Sequence, residues 1–260
     1  MNVAGDRRLI RYEHPLSERI RTMMRLEDLF QRARYFAAKP EANDHHSAIN
    51  ALFEIAETAQ RADLKSDLLQ ELERQRQLLS SLRDNPQVAA ETLNEFLSDI
   101  VNAAADLHAQ AGRIGAHLRD NEWLMTIKQR MGIPGGVCEF DLPSYHFWLN
   151  LDAQRRQRDL QQWLAPFMPT DEALRIVLRL LRDSGKTSPQ IAYNGLFQVM
   201  LTANKVAQLL RITVAKDLPY VPEISANRYA LNIRFVGFDN AGRPRQIEQD
   251  VEFDLTFCNL

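Results

Sequence analysis

Apolar side chains recur every three or four residues through most of the first half of the chain, which is the spacing of helices with one buried face. From Ser17 onward, Ile20, Met23 and Phe30 share such a face, while charged residues take the other positions. Ser17 can cap the first turn, so the pattern predicts a helix that begins there. The same spacing predicts four further helices: one from Ser47, one over 64–79, one from Pro86 to about Gln110, and one over about 114–131.

The pattern changes after Gly185. Helical spacing continues over 152–164 and over 171–182, where Thr170 is the expected cap. Beyond Gly185, apolar and polar residues alternate or β-forming residues cluster, as in strands. Strands are predicted over 196–201, 209–214, 229–238 and 247–257.

The last two predicted strands are separated by a turn-rich segment, Asp239 to Pro244, which favours a hairpin. Alternate residues of these strands are apolar, so each strand should present one face to a core. The eight side chains expected there are Tyr229, Leu231, Ile233, Phe235, Val251, Phe253, Leu255 and Phe257.

A forced corner separates the helical region from the second half of the chain. Pro134 lacks an amide donor and Gly135-Gly136 favours turns, so the preceding helical pattern must stop. After the corner, 137–140 can extend as a short strand, and 145–148 concentrates aromatic residues. The structural interpretation is a helix-to-sheet junction with a buried aromatic plug, and it is favoured over a catalytic site.

These elements predict an α+β fold. We expect an N-terminal, mainly α-helical domain over residues 1–183, with a short strand near 137–140, packed with a C-terminal antiparallel β-rich domain over residues 184–260. No repeat or long linker interrupts the pattern, so the two parts should pack together.

Composition is that of an ordinary folded protein, with 45% hydrophobic and 25% charged residues and a formal net charge of −2. The two cysteines, Cys138 and Cys258, lie far apart, which argues against a disulfide framework or a four-cysteine zinc site. The polar N-terminus lacks the apolar core of a signal peptide, and no stretch approaches the length of a membrane span. We therefore expect a cytoplasmic protein without membrane insertion.

Motifs for catalysis, metals and cofactors are weak. Ser184 to Thr187 resembles the end of a phosphate-binding loop, but the required upstream glycine position is Leu180. The histidines at 45, 46, 108 and 117 lack metal-ligand spacing, and no serine occupies a nucleophile elbow. We expect no enzyme activity, metal or cofactor. The alternative left open is a hydrolase or transferase that uses Asp141, His146 and a distant serine.

Arginines form the remaining pattern that suggests a binding function. Arg21 and Arg25 lie four residues apart on the first helix, and Arg228 and Arg234 share the polar side of a predicted strand. Such groups can bind an acidic peptide or a phosphate. They can equally pair with Glu252 and Asp254 across the predicted hairpin, for about 0–1 kcal/mol. Nucleic acid is disfavoured, because no strongly basic domain or aromatic stacking platform accompanies them.

Several longer motifs resemble the ZapD family of bacterial division proteins, over nearly the whole chain. The residues concerned are Arg11-Tyr-Glu-His-Pro-Leu-Ser-Glu-Arg-Ile-Arg-Thr, Arg113-Ile-Gly with Leu118-Arg119, Ile-Pro-Gly-Gly-x-Cys-x-Phe-Asp-Leu-Pro-x-x-His-x-Trp-Leu from Ile133, Asn194-Gly195-Leu-Phe-Gln, and Arg-Tyr-Ala with Ile-Arg-Phe near the end.

The resemblance implies a helical domain with a β-rich domain, a homodimer, and binding to the C-terminal tail of the tubulin-like GTPase FtsZ. Cross-linking and bundling of FtsZ filaments at the midcell division site would promote Z-ring assembly. Carried over by motif, the implied tail-binding residues are Arg21, Arg25, Arg61, His146, Arg228 and Arg234. A third interpretation, also open, is a purely structural adaptor for another division protein.

Overall fold

A computed structural model describes residues 9–60, 63–83, 85–86, 88–200, 207–227, 229–237 and 245–259. The helices are α1 (Glu18–Ala37), α2 (Ala42–Gln60), α3 (Leu64–Ser80), α4 (Ala90–Ala109), α5 (Ala116–Arg119), α6 (Glu122–Met131), α7 (Pro143–Leu149), α8 (Ala153–Leu164) and α9 (Met168–Asp183). A short 3₁₀ turn, Ala165–Phe167, joins α8 to α9. The strands are β1 (Leu9–Pro15), β2 (Lys186–Ala192), β3 (Leu196–Met200), β4 (Leu209–Ala215), β5 (Tyr220–Ala226), β6 (Ala230–Gly237), β7 (Arg245–Gln246) and β8 (Val251–Cys258).

The chain divides into two compact units. Thr22–Leu178 forms the helical unit, whereas Met1–Arg21 and Arg179–Leu260 together form the β unit. The predicted α+β class is confirmed, with helices in the N-terminal region and antiparallel sheets in the C-terminal region. The expected boundary between residues 183 and 184 differs from this division, because β1 at the N-terminus pairs with β4.

The β unit contains two four-stranded arrangements. One sheet has the order β1-β4-β8-β2, and the other has the order β3-β6-β5 with β7 added to β6. All described pairings are antiparallel. Their inner faces share one apolar core, in which Ile212, Leu231, Phe235 and Leu255 are almost fully buried.

The predicted pairing of the last two long strands is wrong. β6 pairs with β3, β5 and β7, whereas β8 pairs with β2 and β4 in the other sheet. The predicted turn, 239–244, lies outside the described residues. The prediction that both strands turn their apolar faces to a core holds for seven of the eight side chains. Tyr229 is the exception, because it is 55% exposed. Arg234 accordingly pairs with Glu223 of β5 and not with β8.

Several helix boundaries also differ from the pattern. α1 begins after Ser17 as predicted, and the Ser17 hydroxyl accepts a hydrogen bond from the Ile20 amide at 3.3 Å. α2 begins at Ala42 and α4 at Ala90, not at Ser47 and Pro86. The single helix expected over about 114–131 is two helices, because the Asn121 side chain caps α6 by accepting from the Leu124 amide at 3.0 Å.

The short strand expected at 137–140 is absent, and turns take its place. Gly136, Cys138 and Asp141 each donate a backbone hydrogen bond to the carbonyl three residues earlier. These amides are consumed by local turns, so they cannot join a sheet ladder. We call Gly132–Leu142 the corner segment.

A charged cluster connects elements of the β unit. Glu13 on β1 accepts hydrogen bonds from Arg182 at 2.9–3.1 Å and from Arg211 at 3.0–3.1 Å. All three side chains are at least three-quarters buried. Burial alone would raise the pKa of Glu13, but the hydrogen bonds and charges of the two arginines outweigh it, and the pKa lies below its ordinary value.

A buried cation organises the helical unit. Arg156 on α8 is 6% exposed and meets no carboxylate among its described partners. Its guanidinium donates to the Pro40 carbonyl at 2.7 Å, to the Leu149 carbonyl at 2.6 Å and to the Leu151 carbonyl. It also donates to Nδ1 of His45, 2.8 Å away. The cation therefore links α8 to the α1–α2 connection, to α2 and to the segment after α7.

His45 is held as a neutral ring by this arrangement. Its Nδ1 accepts from Arg156, so Nε2 must carry the proton that it donates to the Lys39 carbonyl at 2.6 Å. Burial and the Arg156 charge lower the pKa of His45 below 6.5, despite opposing contributions from that carbonyl bond and from Asp44. A second proton on the ring would remove the acceptor of the buried guanidinium.

Glu13→Gln should destabilise the β unit by about 2 kcal/mol at pH 7, because it leaves two largely buried guanidinium groups without their counter-ion. The lowered pKa of Glu13 means that this stabilisation is complete above about pH 4.5 and is lost as the pH falls further. Denaturant titrations should therefore give a wild-type-to-variant difference that shrinks between pH 7 and pH 3.5. Glu252→Gln, at an exposed site on β8, is the control, and an equal loss there would contradict the prediction.

The stability of the helical unit should fall as the pH drops below about 6.5. His45 has a lower pKa in the folded protein than in the unfolded chain, so the unfolded chain then binds a proton more readily. His45→Gln should reduce the drop in denaturation midpoint between pH 7.5 and pH 5.5. Part of the drop should persist, because burial also lowers the pKa of His46 and of His117. His108→Gln, at an exposed position on α4, should leave the drop unchanged; an unchanged drop in His45→Gln would refute the assignment.

Candidate functional site

The side of α1 that carries Arg25 and Arg32, with the exposed Asp28 between them, leads toward a pocket in the helical unit. Arg25 and Arg32 are exposed and lie seven residues apart, which is close to two full helical turns. They therefore project from the same side of α1. Arg32 forms an exposed ion pair with Glu54 of α2 at 3.5 Å. Exposed pairs of this kind contribute about 0–1 kcal/mol, so Arg32 can exchange Glu54 for another carboxylate at little cost.

The pocket, which we call the corner pocket, has a volume of about 490 Å³. It lies where α1 and α2 meet the corner segment. Its lining residues are Arg32, Phe36, His46, Ser47, Asn50, Met131, Ile133, Pro134, Gly135 and Val137. The lining thus combines apolar side chains with one arginine and several neutral hydrogen-bonding groups. This composition suits a peptide that carries both apolar and acidic residues.

Glycines give the corner segment its shape. Gly135 has φ +73°, in the left-handed region that residues with a Cβ rarely adopt. A Cβ at Gly136 would lie 2.5 Å from the Arg130 carbonyl oxygen, so only glycine fits against the end of α6. Arg130, near the end of α6, lies 3.6 Å from Asp141 near the end of the corner segment. The Pro-Gly-Gly sequence therefore fixes one wall of the corner pocket.

An aromatic cluster supports the same region. Trp123, Tyr145, Trp148 and Trp163 lie with ring centroids 5.7–6.1 Å apart in each contacting pair. Tyr145 is fully buried, and its hydroxyl lies 2.8 Å from Nδ1 of His46. Burial raises the pKa of Tyr145 and lowers the pKa of His46. Both shifts favour the neutral groups, and their hydrogen bond holds His46 in place as a side chain of the corner pocket.

Asp141 and His146, the residues of the alternative enzyme hypothesis, each approach a different charged side chain. His146 on α7 is half exposed and pairs with Glu139 at 3.6 Å. Asp141 pairs with Arg130. Tyr145, the neighbour of His146, is the residue that enters the aromatic cluster. The predicted aromatic plug is therefore only partly right: Tyr145 and Trp148 pack in the core of the helical unit, whereas Phe147 is 68% exposed.

The predicted tail-binding residues are distributed over both units. Arg21 lies at the start of α1 in the β unit, where it approaches Glu18 at 3.2 Å. Arg25 and His146 belong to the helical unit. Arg234 lies on β6 of the β unit and pairs with Glu223. Arg61 and Arg228 lie outside the described residues.

Arg32 was missed by the sequence prediction, together with the pocket beside it. The signal was present, because Arg32 follows Arg25 at a spacing that keeps it on the same side of α1 as Arg21. Phe36 and Asn50 carried no such signal. Their place in the corner pocket depends on how the corner segment packs against α1 and α2.

The two cysteines of the chain occupy different environments. Cys138 is exposed within the corner segment, whereas Cys258 is buried at the end of β8. Burial raises the pKa of Cys258, and Glu13 and Asp183 add to this against the nearby Arg211 and Arg182. The described residues contain no group of three histidine, cysteine or acidic side chains that could hold a metal ion. Within the same part of the chain, no helix is long and apolar enough to cross a membrane.

Comparison with known proteins agrees with the motif resemblance. A family model described as "ZapD: Cell division protein" matches residues 24–234. The chain is 55% identical over 253 residues to the "Cell division protein ZapD" of Chromobacterium violaceum, covering 97% of this chain and 100% of that protein. It is 53% identical over 252 residues to the protein of the same name from Azoarcus sp. strain BH72, again covering 97% of this chain and 100% of the relative. A third such protein, from Nitrosomonas europaea, is 51% identical over 97% of this chain and 96% of its own length. The chain therefore belongs to the ZapD family of cell division proteins.

Proposed function

We propose that this chain binds the C-terminal tail of FtsZ and, as a homodimer, cross-links FtsZ filaments into bundles. The observation that carries the proposal is the side of α1 with the exposed Arg25 and Arg32, which leads into the corner pocket that Arg32 lines. Part of the pocket wall, Ile133–Val137, belongs to the central motif that resembles the family. The protein works as a binding partner in this proposal, with no chemical step.

Two kinds of contact would hold the tail. Arg25 and Arg32 are exposed and can bind carboxylates, which is a common mode for recognising acidic peptides. Phe36, Ile133 and Val137 offer apolar surface in the corner pocket for a neighbouring side chain of the peptide. A short flexible tail can therefore gain affinity from charge and apolar burial together.

We place the other residues implied by the family resemblance in the same role. Arg21, Arg61, Arg228 and Arg234 would add positive charge for the tail, and His146 would add a polar contact. Arg234 must exchange its present partner Glu223 for a tail carboxylate, which an exposed pair permits.

Cross-linking would follow from the number of tail-binding sites in a dimer. A symmetric dimer presents two copies of every surface, so one dimer can hold tails that extend from two filaments. Each additional tail in a bundle is captured at high local concentration, which raises the overall affinity above that of one site. Binding to FtsZ filaments would also recruit a cytoplasmic protein to the division site at midcell.

Arg25→Glu should weaken binding of an FtsZ tail peptide at least tenfold, equivalent to about 1.4 kcal/mol, because it replaces an attractive charge with a repulsive one. The affinity can be measured by fluorescence anisotropy of a labelled tail peptide. Wild-type affinity should also fall as salt is raised from 50 to 500 mM, since exposed charges are screened within a Debye length of about 8 Å at physiological ionic strength.

Arg76→Glu is the matched control, because Arg76 is a helical arginine with a side chain 42% exposed, paired with Glu73 on α3. It should leave peptide affinity and filament pelleting unchanged. Equal loss in both variants would mean that only overall charge matters. Pelleting of tailless filaments by the wild-type protein would contradict tail binding and would favour an adaptor for another division component.

A further inference from the structure

One sheet of the β unit, β1-β4-β8-β2, has an open outer face. The strand registers place Leu9, Ala215, Glu252 and Ile191 in one row across this face. Leu9 and Ile191 are 52% and 40% exposed, and Glu252 is exposed between them. The neighbouring residues along each strand, such as Val214, pack against the core instead. The outer face therefore offers apolar side chains and a carboxylate to solvent.

A groove of about 850 Å³ lies along this face. Tyr193, which follows β2, and Leu196, at the start of β3, also line the groove and are 64% and 50% exposed. Contiguous apolar surface with a polar rim usually marks a site of interaction. The groove is therefore a candidate surface for a second partner.

The charge of the groove is acidic. Glu252 and Asp254 line it, and its described lining residues include no lysine, arginine or histidine. An adjoining cavity of about 450 Å³ shares Ile191 and Glu252 with the groove and adds Asp217 and Asp250. We call the groove and this cavity together the acidic groove.

The carboxylates of the acidic groove are not neutralised from within the described part of the chain. The side chains of Glu252, Asp254 and Asp217 have no hydrogen bond or ion pair there. Arg11 lies on the same face, but Thr213 separates it from Asp254, and Arg11 does not line the groove. The negative charge is therefore available to a ligand.

We propose that the acidic groove binds a basic, amphipathic segment of another protein. Its carboxylates attract lysine or arginine, and they repel the phosphates of nucleic acids and of anionic lipids. The exposed Leu9, Ile191, Tyr193 and Leu196 are covered by apolar side chains that flank the cation. The acidic groove belongs to the β unit, whereas the corner pocket belongs to the helical unit, so this proposal goes beyond binding of the FtsZ tail.

The dimensions of the row fit a short extended peptide. Neighbouring strands lie about 4.8 Å apart, so the row from Leu9 to Ile191 spans about 14 Å. In an extended peptide, the side chains at positions i, i+2 and i+4 face the same way and span about 13 Å. A segment with the pattern apolar-x-Lys-x-apolar therefore brings its cation to Glu252 and its apolar side chains to the two ends of the row.

Methyl NMR of the full-length protein, labelled at isoleucine, tests the proposal and detects even weak binding. The probe is a synthetic peptide of three Leu-Thr-Lys-Thr repeats. The Ile191 methyl signal should shift saturably as the peptide is added, whereas the signal of Ile100, buried in α4, should stay unchanged. A peptide with glutamate in place of lysine, and one with serine in place of leucine, should each bind at least tenfold more weakly.

Glu252→Lys should weaken binding of the lysine peptide at least tenfold, because it replaces an attractive charge with a repulsive one. The same variant should bind the glutamate peptide more tightly than wild type does, a gain that misfolding would not produce. Glu95→Lys, at an exposed acidic position on α4, is the matched control and should leave the affinity for both peptides unchanged.

The absence of a saturable Ile191 shift, or an unchanged affinity in Glu252→Lys, would overturn the proposal. Equal binding of the serine peptide would also overturn it, because charge alone would then suffice. If the Ile191 signal moves with protein concentration and not with peptide, a second copy of this chain occupies the groove, and the proposal fails. If the FtsZ tail peptide displaces the lysine peptide, the groove is part of the tail site, and the proposal of a distinct partner fails.

Discussion

The helical unit depends on one buried positive charge that has no carboxylate partner among the described residues. Arg156 is solvated by three backbone carbonyls and by the neutral ring of His45. Moving a guanidinium out of water is costly, and only well-aimed acceptors offset that cost. The chain segments around α2 and α7 must therefore keep their mutual positions. This also fixes the positions of two side chains on these helices: Tyr145 in the aromatic cluster and His46 in the corner pocket.

Much of the fold could be predicted from hydrophobic spacing, and the failures have specific causes. α1 and α3 were predictable because their apolar residues repeat over several turns. β1, β2 and β5 were missed because each mixes polar residues with a proline, so no alternating pattern stands out. The hairpin error arose because turn residues define a reversal, but they do not determine which sheet receives the next strand. That choice depends on long-range packing.

The candidate site was only partly accessible from sequence. Helical periodicity was sufficient to place Arg21 and Arg25 on one side of α1, and the Pro-Gly-Gly corner was recognised from its composition. The corner pocket was not foreseen, because its walls come from three separated segments. The strand expected at 137–140 failed for a local reason: the left-handed Gly135 starts successive turns that consume the nearby amides. Strand propensity alone does not show that local turns compete with a sheet for the same backbone amides.

The corner segment also carries a native reporter. Cys138 is exposed beside the corner pocket, while the other thiol, Cys258, is buried and hard to ionise. Because the thiolate is the reactive form, a maleimide dye should modify Cys138 far faster than Cys258. The unaltered protein can therefore be labelled at a single place, and the dye would sense arrival of a ligand at the corner without any engineered cysteine.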